Sequence, residues 1–238
     1  MALPKLNNAP KFEMTIPSLN KKVRFRPFLV KEEKVLMIAA EAGDSASTLN
    51  AIFDIVNACC VDEDFKPSTL TAYDVEYMFL QIRAKSVGES SKINATCSSC
   101  NTQNEVSIDL NEAKVSGKEV NSDIIKLNDD ISLKMKWPTY AELIGAGVAP
   151  EEMSNIDTLF RLLAKCIDSV MTEEENFKLS DQAENEVNDF IESLSSEQFN
   201  KVREYVEAIP QVRYNLNFTC NSCGTVNERE ITGIANFF

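Results

Sequence analysis

The 238-residue sequence predicts an α+β protein made by internal duplication, with two pseudo-repeats that share one order of parts: β-hairpin, helices, Cys-x-x-Cys β-hairpin. Three observations predict it. The stretch TCSSCNTQNE at 96–105 returns 123 positions later as TCNSCGTVNE at 219–228, and each copy runs on to an isoleucine, Ile108 and Ile231. Each half opens on alternating apolar and polar residues, the period of a half-buried strand. Between those openings and the cysteine loops lie segments of helical period with capping signals.

In the first half, FEMTIPSLNKKVRFRP at 12–27 alternates and predicts a hairpin whose second strand runs through Val23 and Phe25 to Pro27. In the second half, IIKLNDDISLKMKWP at 124–138 predicts a matching hairpin, with Leu19-Asn20 and Leu127-Asn128 at comparable turns. A helix over 30–42 follows the first, closed by Gly43, and Asp44 or Ser45 caps another with Leu49, Ile52, Phe53 and Val56 on one face. The second half places Leu159, Leu162, Leu163 and Cys166 on a helix ending LAKCID at 163–168, so that Cys60 and Cys166 fall at matching places. Cys59, Cys60 and Cys166 are expected to pack as small core residues.

Thr71 to Asp74 and Ser195 to Gln198 read as capping boxes. They open helices with Val75, Met78, Phe79 and Ile82, or Phe199, Val202 and Val206, facing the core, and Pro210 ends the second. Strands are expected at 92–97 and 212–220 into the cysteine loops, and at 105–110 and 228–234 out of them. Residues 172–194 read as a loop plus an amphipathic helix on Val187, Phe190, Ile191 and Leu194, and polar 111–122 as the connector. The repeats are therefore set at 1–113 and 114–238, joined in one unit by a shared metal. Trp137 reads as a packing residue, and the closing Phe237-Phe238 has two readings, folding back on the core or anchoring in a partner's groove, of which the first is preferred.

Composition narrows the chemistry. Hydrophobic residues make up 44% and charged residues 26%, ordinary values for a globular chain. No apolar run reaches the roughly 18–20 residues that span a bilayer, and the start lacks a secretory signal, so the expected setting is intracellular. The net charge of −13 disfavours nucleic-acid phosphates, although residues 1–36 carry +5 and the remainder −18. There are no histidines, which removes Ser-His-Asp and Cys-His catalysis and imidazole metal sites. No phosphate-binding glycine loop is present, and the expectation is a non-enzyme.

The chemistry that remains is thiolate. Cys97, Cys100, Cys220 and Cys223 number the four ligands of a tetrahedral zinc site. The 119 residues between Cys100 and Cys220 exclude a ribbon local in sequence. Two halves packed about a pseudo-twofold axis would instead let both cysteine hairpins share one structural zinc. A cytoplasmic thiol-redox protein using the same pairs is the alternative; against it, a redox Cys-x-x-Cys normally opens a helix, whereas these sit between strands.

The segments LNKKVRFRPFLVKEEKVLMIA at 19–39, LSSEQFNKVREYVEAIPQVRYNLNFTCNSCG at 194–224 and the terminal FF resemble the T4-type phage baseplate proteins. The block KVRFRPFLVKEEK at 22–34 carries most of the likeness. The resemblance implies a non-enzymatic protein working in the host bacterial cytoplasm, either a minor baseplate hub subunit with a place in the tail or a hub assembly factor that does not persist in the virion. Its partners would be other hub or tail proteins. The basic segment, Lys21, Lys22, Arg24, Arg26, Lys31 and Lys34, is the first candidate for that contact.

Overall fold

The computed structural model describes residues 9–62, 64–120, 122–148 and 155–237. The chain divides into two compact units, unit 1 from 1–116 with 211–238 and unit 2 from 117–210.

Unit 1 begins with β1 (Phe12–Ile16) and β2 (Lys21–Phe25), an antiparallel hairpin whose turn passes through Asn20 at φ 48°. Alternation buries Met14, Ile16, Val23 and Phe25 on one side. Helix α1 (Val30–Ala42) ends at Gly43 in the left-handed region, and α2 (Ser45–Cys59) starts at Asp44, whose carboxylate accepts the Ser47 N–H at 2.7 Å. Helix α3 (Ala72–Ser86) is buried on nearly every side, since Val75, Met78, Phe79, Leu80 and Ile82 all face protein. The two cysteine hairpins follow: β3 (Ser90–Thr96) with β4 (Gln103–Asp109), and β10 (Gln211–Thr219) with β11 (Val226–Thr232). Phe237 folds back, fully buried, edge-on to Tyr214; Phe238 lies outside the described residues.

Unit 2 holds the sheet β6 (Ile124–Lys126), β7 (Ser132–Met135), β8 (Ile167–Met171) and β9 (Asn176–Lys178), antiparallel throughout. Its helices are α4 (Tyr140–Ala146), α5 (Ile156–Cys166), α6 (Glu184–Glu192) and α7 (Ser196–Glu207). Trp137 stacks on Tyr205 at 4.3 Å between ring centroids, the packing role expected of it.

Several expectations are corrected. The helix over 163–168 stops at Cys166, because Ile167 begins β8, with Ile167 and Ser169 buried on one face, and β7 pairs with it. Residues 172–194 hold β9 before α6, and the connector 111–122 holds β5 (Lys114–Ser116), which pairs with β10. Three-residue strands have no legible period; their partners create them. By backbone pairing, the position that corresponds to Cys166 is Cys59 rather than Cys60. The Cys59 carbonyl accepts the Arg26 N–H at 2.9 Å, and that of Cys166 accepts the Lys136 N–H at 2.8 Å. Cys60 is half-buried and bridges to Phe25.

The same local brace recurs in each unit. In unit 1, the Glu32 carboxylate accepts the Leu29 N–H at the start of α1 (2.7 Å) and pairs with Arg26 (2.9 Å). In unit 2, Glu142 accepts the Thr139 N–H at the start of α4 (2.8 Å) and pairs with Lys136 (2.6 Å). A second brace ties each hairpin turn to a helix start. Asp74 accepts from Ser18 N–H at 2.9 Å and from its hydroxyl at 2.5 Å, while Gln198 donates to the Leu127 carbonyl at 3.1 Å.

Burial alone would raise the carboxyl pKa values of Glu32 and Glu142, but the cations and N–H donors around them outweigh it and hold both below the ordinary 4.5. A depressed folded value adds stability above the unfolded pKa and loses it as pH falls through the folded one. Stability is therefore expected to drop below about pH 4.5, and Glu32→Gln with Glu142→Gln to flatten that drop in urea titrations run at stepped pH.

Strands β5 and β10 pair with Ser116 opposite Gln211, so unit 2 enters and leaves unit 1 at one point. At that neck, a Cβ on Gly117 would lie 2.8 Å from the Ala208 carbonyl oxygen and 2.9 Å from Pro210 Cα, so only glycine fits. Replacing 117–210 with Asn-Gly, a two-residue hairpin turn, is expected to leave unit 1 folded. A cooperative thermal transition with dispersed amide NMR signals checks it.

Candidate metal centre

Each cysteine loop is a tight turn built by its own motif. Cys97 N–H donates to the Thr102 carbonyl and Asn101 N–H to the Cys97 carbonyl, at 2.9 and 3.0 Å; Cys220, Thr225 and Gly224 repeat the two bonds at the same lengths. The turn needs a left-handed residue, supplied by Asn101 at φ 56° and Gly224 at φ 72°. The threonine hydroxyls lie 3.3 Å from a sulfur, Thr102 from Cys100 and Thr225 from Cys223.

The turns also aim N–H groups at sulfur. Ser99 N–H reaches Cys97 Sγ and Ser222 N–H reaches Cys220 Sγ, both at 3.4 Å. The N–H groups of Cys100 and Ser99 hold the Cys97 thiol down at about 6, and those of Cys223 and Ser222 lower Cys220 likewise. The backbone donors thus favour the thiolate at Cys97 and Cys220, whereas at Cys100 the contacts with Thr102 are outweighed by the neighbouring Cys223 and Cys220 sulfurs and the thiol is raised.

Both hairpins meet end to end. Cys97 Sγ lies 3.7 Å from Cys223 Sγ and Cys100 Sγ lies 3.6 Å from Cys220 Sγ, and all four sulfurs fall within 4.8 Å of one another. A disulfide needs about 2.05 Å. Four thiolates about 2.3 Å from a central zinc stand about 3.8 Å apart, close to these separations. Cys97 and Cys220 are buried, Cys100 and Cys223 exposed. The donor set suits a closed tetrahedral ion, with no position left for a reacting water.

Two residues absent from the expected ligand set complete the site. Asn104 and Asn227, the asparagines of T-x-N-E, are 2% and 3% exposed, and each crosses to the other hairpin. Asn227 Oδ1 accepts the Ser98 N–H at 2.9 Å, while its Nδ2 donates to Cys97 Sγ at 3.5 Å and to the Thr225 carbonyl at 3.0 Å. Asn104 does the same for the Asn221 N–H at 2.8 Å, Cys220 Sγ at 3.6 Å and the Thr102 carbonyl at 2.9 Å. The signal was present in the sequence, as an asparagine kept at one offset in both copies; its cross-hairpin use is visible only in three dimensions.

The basic segment divides. Lys21, Lys22, Arg24, Lys31 and Lys34 are exposed, with Arg24 paired to Asp62 at 2.7 Å. Arg26 is committed inward, to Glu32 and to the Pro27 and Ala58 carbonyls, each at 2.9 Å. Among the described residues no helix is long and apolar enough to cross a membrane.

Asn104→Ala and Asn227→Ala each strand one cross-hairpin N–H and remove one donor to sulfur. Each is expected to cost about 1–3 kcal/mol of stability, measured by chemical denaturation, with Asn94→Ala on the exposed side of β3 near neutral.

No curated protein and no solved structure matches the chain. The family model described as T4 bacteriophage base plate protein matches residues 9–238, nearly the whole length. The chain belongs to that family, the structural proteins of a phage base plate.

Proposed function

We propose that this protein is a non-enzymatic component of the base plate hub, a hub assembly factor or minor hub subunit, held together by one structural zinc on Cys97, Cys100, Cys220 and Cys223. The observation that carries the zinc reading is the meeting of four sulfurs from hairpins 119 residues apart in sequence, at separations of 3.6 and 3.7 Å across the pairs. When bound, the ion supplies a crosslink and no reaction. Cys97, Cys100, Cys220 and Cys223 ligate it, Asn104 and Asn227 orient two of those sulfurs, and the turns fix the spacing.

Family membership supports the base plate, with other base plate proteins as partners, met in the host bacterial cytoplasm during assembly. The exposed Lys21, Lys22, Arg24, Lys31 and Lys34 offer the contact, while Arg26 is a structural residue. Internal duplication with repeats at 1–113 and 114–238 is supported by the recurring braces, Arg26–Glu32 with Lys136–Glu142 and Asp74 with Gln198, as well as by the cysteine loops.

Protein purified without added zinc, under reducing conditions, is expected to carry one zinc per chain by elemental analysis. The four ligand thiols should resist a thiol reagent until the chain is denatured. Metal-free protein with a reducible disulfide between these cysteines would overturn the zinc clip in favour of thiol-redox use. For the hub, the chain is expected to co-purify with tail proteins from infected cells, and its presence in finished particles separates subunit from assembly factor.

A further inference from the structure

The sulfur contacts in the cysteine cluster run across the hairpins. Cys97 Sγ lies 3.7 Å from Cys223 Sγ, and Cys100 Sγ lies 3.6 Å from Cys220 Sγ. Each pair joins a buried cysteine, Cys97 or Cys220, to an exposed one, Cys223 or Cys100. The buried sulfurs are also held toward the opposite hairpin. Asn227, on the hairpin of Cys223, donates to Cys97 Sγ at 3.5 Å, and Asn104, on the hairpin of Cys100, donates to Cys220 Sγ at 3.6 Å. An oxidant in solvent therefore meets Cys100 and Cys223 first, and the sulfur beside each belongs to the other hairpin.

We propose that Cys97 with Cys223 and Cys100 with Cys220 are two oxidation sites, each closed by hydrogen peroxide into a disulfide that crosses the hairpins. The exposed thiol, Cys223 or Cys100, gives an electron pair to one peroxide oxygen. The O–O bond breaks, water leaves and a sulfenic acid remains. The buried sulfur opposite then attacks it; the S–S bond forms, the S–O bond breaks and a second water leaves. Each pair thus gives up two protons and two electrons, and one peroxide becomes two waters.

Connectivity decides what oxidation does to the fold. A disulfide inside one Cys-x-x-Cys motif ties a loop to itself and leaves the hairpins unlinked. Bonds across them close spans of 126 and 120 positions, and a long span is where a crosslink stabilises most in the chain-entropy account. A sulfur tied in a disulfide no longer ligates, so oxidation exchanges a metal crosslink for a covalent one and the hairpins stay joined. The inference concerns the same four cysteines as the zinc clip, but rests on where the sulfurs sit and not on which ion they hold.

The test uses the full-length protein purified under reducing conditions and assayed for zinc. It is treated with excess hydrogen peroxide, then unfolded with a thiol-blocking reagent and cut with trypsin. Trypsin releases 93–114, which carries Cys97 and Cys100, and 214–229, which carries Cys220 and Cys223. Mass spectrometry without reduction is expected to find the two peptides joined, with loss of all four thiols. Fragmentation of the joined species should read Cys97 to Cys223 and Cys100 to Cys220. Separate peptides each closed on itself, joined peptides with Cys97 linked to Cys220, sulfinic acids without a disulfide, thiols that survive the peroxide, or bonds between copies would each overturn the proposal. The zinc assay made before oxidation judges the clip independently: a metal-free chain removes that reading, while the connectivity is still read on the same sample.

Discussion

Each cysteine hairpin is finished by the other. The Ser98 N–H finds its acceptor on Asn227, and the Asn221 N–H finds its own on Asn104. Neither loop satisfies its backbone alone, and the acceptors sit on Asn104 and Asn227, side chains 2% and 3% exposed that would be costly to leave unpaired. Placement of β10 and β11 follows from that exchange: β10 pairs with β5, and the chain end folds back to bury Phe237. The sulfur cluster is then a consequence of two hairpins already in register.

Much of the fold was legible in the sequence where periods were long or caps explicit. Helix α1 ran from Val30 to Ala42 with Gly43 as its stop, and both cysteine hairpins lay where alternation put them. The illegible parts were those set by partners. Strands β5, β8 and β9 are brief and take their conformation from an available edge, while α4 is a seven-residue helix held by Thr139 and Glu142. At the candidate site the four cysteines were legible by type and spacing. Asn104 and Asn227 were not, because an asparagine after a turn reads as local turn chemistry until the opposite hairpin is seen to need it.

Repeats and compact units describe different things in this chain. The order of parts recurs once, yet the second cysteine hairpin lies in the same compact unit as the first, apart from the hairpin and helices that precede it in sequence. The glutamate braces show why the order can recur without the units coinciding. Each brace needs only a cation after a strand and a carboxylate three residues into the next helix, so it assembles wherever that local segment folds. The cysteine cluster is the opposite case, since neither hairpin is complete on its own.

The neck at Gly117 and Pro210 has a further meaning for how the molecule is made. Unit 2 is continuous and can fold as soon as it leaves the ribosome, as domains generally do. Unit 1 cannot, because half of its sulfur cluster and its last strands are synthesised only after unit 2 is complete. A chain interrupted between Cys100 and Cys220 keeps two thiolates facing no partner, and with Asn227 missing, Ser98 has no acceptor. Closure of the cysteine hairpins therefore cannot precede synthesis of Cys220, Cys223 and Asn227, and unit 1 is complete only when almost the whole chain has been made.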